Sequence, residues 1–109
     1  MRAHIIAKIH FYATDRGGRK VAIPPPHFGC PFEIDNRSYD CRVMIQKKQP
    51  VQPGVTNLFP VEFIRPDLVV PKLSIGQTFF LWEGRHIAEG EVIEIPVGTS
   101  SSKKGVIVE

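Results

Sequence analysis

The sequence is poor in cysteine and tryptophan, and it has no long apolar run. It contains two cysteines and one tryptophan in 109 residues. Ten residues (31 to 40) separate Cys30 from Cys41, which matches no common zinc motif, and no second Cys/His pair completes a tetrahedral site. No segment approaches the roughly 20 apolar residues of a membrane-spanning helix, and Met1 to Lys8 lacks the apolar run of a signal peptide. We therefore predict a cytoplasmic protein with reduced, inert thiols, no metal and no membrane contact.

An excess of charge of one sign is also nearly absent. The formal net charge is +3 at pH 7, whereas dedicated nucleic-acid binders carry a larger excess or a clear basic run. The charge therefore permits attraction to phosphate or to an acidic partner without predicting it.

Proline and glycine, in contrast, are abundant, with ten and nine residues. That density favours short strands and tight turns over long helices. The length fits one domain, and an apolar fraction of 42% is enough to exclude wholesale disorder. We predict a single β-barrel domain over residues 1–96. Residues 97–109 are predicted to form a flexible polar segment, in which Val106–Val108 could be a last edge strand or a frayed tail.

Alternation of apolar and polar residues marks the strands. Residues 2–13 place Ile5, Ala7, Ile9 and Phe11 on one face, and further strands are predicted at 32–34, 39–47, 56–65, 77–82 and 85–95. Residues 27–31 are assigned to a loop. Pro60 predicts an edge or a bulge in the strand at 56–65. In the strand at 85–95, apolar residues fall on both faces, and a bulge near Gly90 would bring them to one face. Six short strands predict an all-β fold, and a closed antiparallel barrel is favoured over a sandwich because closure removes unpaired edges.

Four segments, in the same order along the chain, resemble the C-terminal barrel domain of elongation factor Tu. FFLWEGRHIAEGEV at 79–92 is similar to that family's closing hairpin, approximately F-x-I-R-E-G-G-R-T-V-G-x-G-V-V. DRGGRK at 15–20 resembles its E-G-G-R-H turn. The PG at 53–54 and the VEFIRP at 61–66 resemble its P-G-D segment and its V-E-L-I-x-P strand. In this chain Trp82 stands in place of an arginine, Lys20 in place of a histidine, and one glycine of the hairpin is missing beside Gly84.

This resemblance implies a six-stranded antiparallel Greek-key barrel with a role near translation. In that family the barrel contacts the T stem of aminoacyl-tRNA, the GTPase domain and the nucleotide exchange factor. Matching the family turn places Arg19 and Lys20 near the tRNA backbone. The sequence has no G-x-x-x-x-G-K-[ST] loop to cradle phosphates, so we predict no nucleotide binding and no nucleotide hydrolysis.

Two basic surfaces are candidates for binding a partner or RNA. One is the glycine-flexed turn that carries Arg16, Arg19 and Lys20. The other is the outer face of the first strand, with His4, Lys8, His10 and Tyr12. Arg85 and His86 are separate candidates, which could also lie at a barrel end. The competing interpretation of each surface is an ordinary solvated turn or strand face. Trp82 alternates with Phe80 and is expected to share its face. That face is either the core, which is the favoured interpretation, or a contact patch at the hairpin end.

No set of residues predicts catalysis. The four histidines are scattered, and no serine or cysteine lies in a nucleophile motif. Glu89 and Glu91 are interpreted as solvated strand residues. We therefore predict a non-catalytic binding module without a cofactor. Its predicted partner is a protein, either a translation component or a protein that recognises elongation factor Tu, which this chain would mimic. The alternative is a tRNA-binding protein that uses the basic turn and the strand face.

Overall fold

The computed structural model describes residues 3–96, which form a closed barrel of antiparallel strands. The strands are β1 (Ile5–Phe11), β2 (His27–Ile34), β3 (Arg37–Met44), β4 (Thr56–Phe63), β5 (Thr78–Trp82) and β6 (His86–Glu94). A 3₁₀ turn (Thr14–Arg16) follows β1, and the helix α1 (Pro66–Val69) continues into a second 3₁₀ turn (Val70–Lys72). The predicted six-stranded antiparallel barrel is confirmed. The segment predicted at 97–109 lies outside the described residues.

The order around the barrel is β1-β4-β3-β2-β5-β6, and β6 closes on β1. Strands β2, β3 and β4 are successive neighbours, while β1 lies beside β4 through a long connection, as in a Greek key. Closure gives every strand two neighbours, so no full edge is left to pair with another chain. In residues 3–96 we find no helix long and apolar enough to cross a membrane.

The core is formed by the inward residues of all six strands. The β1 set that alternation predicted is buried, from Ile5 to Phe11. Phe32 lies near the centre, stacked on Phe79 with ring centroids 4.1 Å apart and edge-on to Phe63 at 4.9 Å. No polar or charged residue of the described chain is buried there. Apolar burial and aromatic packing therefore hold the barrel together.

Strand β2 is longer than predicted, because residues 27–31 belong to it rather than to a loop. Phe28 and Cys30 point into the core in phase with Phe32. Pro31 is tolerated because its missing N–H falls on the side of β5, whose ladder with β2 covers only Phe32 and Glu33.

Strand β6 has the irregular register that the sequence predicted near Gly90, but the bulges lie three residues to either side of that glycine. Gly90 sits in regular register opposite Phe79, and the register shifts instead skip Ile87 and Ile93. Gly90 is required for a different reason, since a Cβ at this position would lie 2.3 Å from the Phe79 ring. The missing side chain thus lets a core phenylalanine pack against the strand backbone.

Pro60 lies at a local edge of β4, which is one of the two settings its position predicted. The ladder between β3 and β4 ends at Val43 and Val61, and the N–H that Pro60 lacks would point past that end. The nearby Leu58 N–H donates a hydrogen bond to the side-chain oxygen Oδ1 of Asn57 at 2.8 Å. The exposed stretch of β4 therefore offers few backbone donors to another strand.

Candidate binding site

Three aromatic side chains form a cluster on the outer surface of β5 and the start of β6. Phe80 and Trp82 point outward, with 39% and 43% of their surface exposed. His86 stacks on Phe80 with ring centroids 4.4 Å apart and planes 9° from parallel, and it meets Trp82 edge-on at 5.6 Å. We call Phe80, Trp82 and His86 the aromatic platform. Mutual packing on three neighbouring strand positions holds the rings in defined orientations.

The expectation that Trp82 packs in the core is wrong. All four residues from Phe79 to Trp82 are apolar, so alternation alone fits either of two phases. Phe79 and Leu81 occupy the core, which directs Phe80 and Trp82 to solvent. Trp82 therefore lies on the surface near the hairpin end, where the alternative interpretation, a contact patch, would need it; the contact itself stays a prediction.

Carboxylates border the aromatic platform on both sides. Glu33 of β2 and Glu89 of β6 are the cross-strand partners of Phe80, and directly opposed residues share one face of a sheet. Glu33 Oε1 lies 2.5 Å from His86 Nε2. The Tyr12 hydroxyl donates to Glu89 Oε1 at 3.0 Å. The first contact holds the Glu33 carboxylate against the His86 ring, and the second joins the Glu89 carboxylate to Tyr12 on the β1 side of β6.

The outer face of β1 is less basic than its sequence indicates. Lys8 is exposed and lies opposite Glu91 of β6. His10 Nδ1 is 2.7 Å from the Thr56 hydroxyl, and its ring lies 5.9 Å from that of Tyr12. Burial and the hydrogen bond to Glu89 raise the pKa of Tyr12 above its ordinary value. Acidic side chains from β6 thus interleave with the cations of β1.

His4 lies apart from the other predicted residues of β1. It is partly buried, and its Nδ1 accepts a hydrogen bond from the Phe63 N–H at 2.9 Å. Its ring stacks over that of Phe63. These contacts tie the chain before β1 to the end of β4, away from the aromatic platform.

The basic turn and the β5–β6 hairpin meet at one end of the barrel. Arg85 Nε donates to the Gly17 carbonyl at 2.8 Å and Nη2 to the Gly18 carbonyl at 3.3 Å. Arg19 Nη1 lies 3.3 Å from Glu83 Oε2, and its guanidinium stands 5.2 Å over the Phe28 ring. Arg85 and Arg19 therefore serve contacts within the barrel.

Arg16 and Lys20 complete the predicted basic turn, and both are exposed. Arg16 ends the 3₁₀ turn that follows β1. Together they place two solvent-facing cations at the same end of the barrel as Arg85. This pair is the part of the predicted basic surface best placed to meet an external anion.

The two thiols lie inside the barrel. Cys30 and Cys41 are register partners on β2 and β3, with sulfur atoms 3.9 Å apart. The contact with Cys30 and burial raise the pKa of Cys41 well above its ordinary range. Within residues 3–96 no three side chains of the His, Cys, Asp and Glu types are grouped to hold a metal ion.

The sequence matches no protein-family model, and a search of curated proteins finds no match for it.

Proposed function

We propose that the protein is a non-catalytic binding module that engages a protein partner through the aromatic platform. The observation that carries this proposal is the exposure of Phe80 and Trp82 on rigid strands. Aromatic side chains that project from a fixed backbone are typical binding hot spots, because they bury much area at a small entropic cost. Tryptophan in particular is enriched at such positions.

A protein fits this surface better than RNA does. Sequence-tolerant nucleic-acid binding combines stacking rings with a positively charged groove. Here Glu33 and Glu89 flank Phe80, and they would repel the phosphates that follow a stacked base. The aromatic platform therefore favours a partner without a polyanionic backbone.

The second candidate function is tRNA binding through the basic turn. Exposed Arg16 and Lys20 support it, as does the resemblance of residues 15–20 to the family turn near the tRNA backbone. Such contacts need only positive charge at the right place. They lie outside the aromatic platform, so the two functions can be tested separately.

The resemblance of four ordered segments to the elongation factor Tu barrel supports a partner near translation. The partner would be a translation component or a protein that recognises that factor, which this barrel would mimic. We place this activity in the cytoplasm, where buried thiols stay reduced. The module would act by occupancy, without nucleotide, cofactor or chemical turnover.

Affinity capture from a cell lysate tests the proposal. Tagged wild-type protein, Trp82→Ala and Leu68→Ser are compared by quantitative mass spectrometry. Leu68 is an exposed apolar residue of α1, at the end of the barrel away from the aromatic platform. We expect a specific protein to be retained by wild type and Leu68→Ser and lost by Trp82→Ala. Absence of any specific protein, or equal capture by all three, would contradict the proposal.

A gel-shift assay with tRNA at low ionic strength tests the second candidate. If the turn binds RNA, wild type shifts tRNA and a double variant, Arg16→Gln with Lys20→Gln, does not. Loss of the shift on adding salt would identify a phosphate contact. If tRNA is not shifted even at low salt, the RNA-binding function is excluded.

A further inference from the structure

We propose that the aromatic platform and its two carboxylates form a recognition site for an arginine side chain of the partner. The inference deepens the proposed function and rests on it for the location of the site. It assigns the chemistry of the ligand, a planar cation, from the rings and charges that surround it.

The first support is the row of side chains across the sheet. Glu33, Phe80 and Glu89 lie opposite one another on β2, β5 and β6, so a carboxylate stands on each side of the exposed ring. Trp82 lies two residues further along the same face of β5. A ligand seated on the rings is therefore within reach of two acidic groups.

The second support is the charge balance of this face. Glu83 is paired with Arg19, and Glu91 lies opposite Lys8. Among residues 3–96, neither Glu33 nor Glu89 forms an ion pair with a lysine or arginine. Glu33 contacts His86, which makes an ion pair with it only when the imidazole is protonated, and Glu89 accepts from the Tyr12 hydroxyl. A chain with net charge +3 thus carries a local negative surface around its exposed aromatic rings. Charge complementarity selects a cation.

The third support is the match between a guanidinium and this arrangement. An arginine side chain stacks on an aromatic face, and tryptophan is the best ring for a cation. Its donors form a planar fork suited to carboxylates. Each carboxylate carries two oxygens with spare acceptor capacity after the contacts already made. A lysine ammonium lacks the planar fork, so we expect it to bind more weakly.

The only tryptophan of the chain reports directly on this site. We would titrate the full-length protein with a capped Gly-Arg-Gly-Arg-Gly peptide and follow Trp82 fluorescence. Matched peptides carry lysine or glutamate in place of arginine, and a short single-stranded RNA is the fourth ligand. We expect a saturable change with the arginine peptide, a weaker one with lysine, and none with glutamate or RNA.

Carboxylate variants test the role of charge. Glu33→Gln and Glu89→Gln keep a hydrogen-bonding group beside His86 and Tyr12 while removing the charge. We expect each to weaken arginine-peptide binding roughly fivefold, in the range of an exposed cation–aromatic or ion-pair contact. Glu94→Gln is the matched control, since it removes an exposed carboxylate at the far end of β6, opposite Ile6 of β1, and it should leave binding unchanged.

Two outcomes would overturn the inference. One is an equal fluorescence response to the arginine and glutamate peptides. The other is peptide binding that neither glutamine variant weakens. The same variants in the lysate capture separate this inference from the proposed function. If Trp82→Ala loses the partner while both glutamine variants keep it, arginine recognition is wrong and the binding module stands. If Trp82→Ala captures the partner as well as wild type does, the proposed function is wrong, whatever the result of the peptide titrations.

Discussion

Gly18 occupies a position in the basic turn where no side chain fits. A Cβ built there would lie 1.9 Å from the Tyr12 carbonyl oxygen and 2.8 Å from that of Ala13. Both contacts are with backbone, which cannot move aside as a flexible side chain would. Close packing therefore dictates this glycine of the GGR turn, independently of any contact with RNA.

We predict that Gly18→Ala destabilises the barrel by about 2 kcal/mol, as an overpacked site does. Gly29→Ala is the matched control, since the nearest atom to its added Cβ is 3.9 Å away. The free energy of unfolding from urea titration measures both. Equal stabilities for the two variants would show that the turn relaxes around the added methyl group.

The buried thiols give a second prediction at this scale. A raised pKa keeps the Cys41 thiol protonated, and burial shields both sulfur atoms. We expect neither cysteine to react with Ellman's reagent in the native protein and both to react after denaturation. Rapid reaction of one cysteine equivalent with the reagent in the folded protein would contradict this packing.

Tyr12 links stability to alkaline pH. Its pKa is raised above 10.0 in the folded state, so folding favours the protonated phenol. The contribution of Tyr12 to the free energy of unfolding is complete at a pH below its unfolded-state pKa. It is lost as the pH rises through its folded-state pKa. We predict that wild type loses more stability than Tyr12→Phe between about pH 9 and pH 11. Tyr39, the other tyrosine, is present in both proteins and cancels from the difference. Identical losses would exclude the link.

At the scale of elements, Arg85 connects the β5–β6 hairpin to the turn after β1. Its guanidinium donates to two carbonyls of that turn. We predict that Arg85→Gln costs about 1 kcal/mol of unfolding free energy, whereas Arg16→Gln, an exposed change in the same turn, stays within about 0.5 kcal/mol. Thermal or urea unfolding measures both. A larger loss for Arg16→Gln would reverse the structural roles assigned here.

Sequence patterns predicted the strands in which apolar and polar residues truly alternate. The phase of β1 follows from Ile5 to Phe11 because the opposite face is polar. The phase of β5 could not be read, since residues 79–82 are all apolar. The start of β2 was missed because Pro24–Pro26 and Pro31 interrupt the alternating pattern. A proline such as Pro31 is tolerated in a strand where the ladder to the neighbouring strand has ended, and the sequence does not show where that ladder ends.

The candidate site could be predicted only in part, because its chemistry depends on strand register. Arg19 and Arg85 are visible as cations in the sequence, but their partners Glu83, Gly17 and Gly18 lie 64 to 68 residues away. Glu33 and Glu89 flank Phe80 only once β2, β5 and β6 pair. Long-range pairing of this kind is not encoded in local periodicity.

At the scale of the whole molecule, a net charge of +3 conceals an uneven distribution. The face around the aromatic platform carries the carboxylates of β2 and β6, while Arg16 and Lys20 project from the turn at the same end. One small barrel thus presents an aromatic, acidic surface beside a basic one. Net charge alone permits an anionic ligand without predicting one, whereas the local charge favours a cationic ligand on the aromatic platform.

The most direct test of this account is the affinity of the captured partner for three purified proteins, measured by isothermal titration calorimetry. We predict that Trp82→Ala raises Kd at least about 30-fold, the effect of losing a hot-spot residue worth about 2 kcal/mol. Leu68→Ser should bind like wild type. A Kd for Trp82→Ala equal to that of wild type, with the barrel still folded, would show that the partner binds elsewhere and would contradict the central claim.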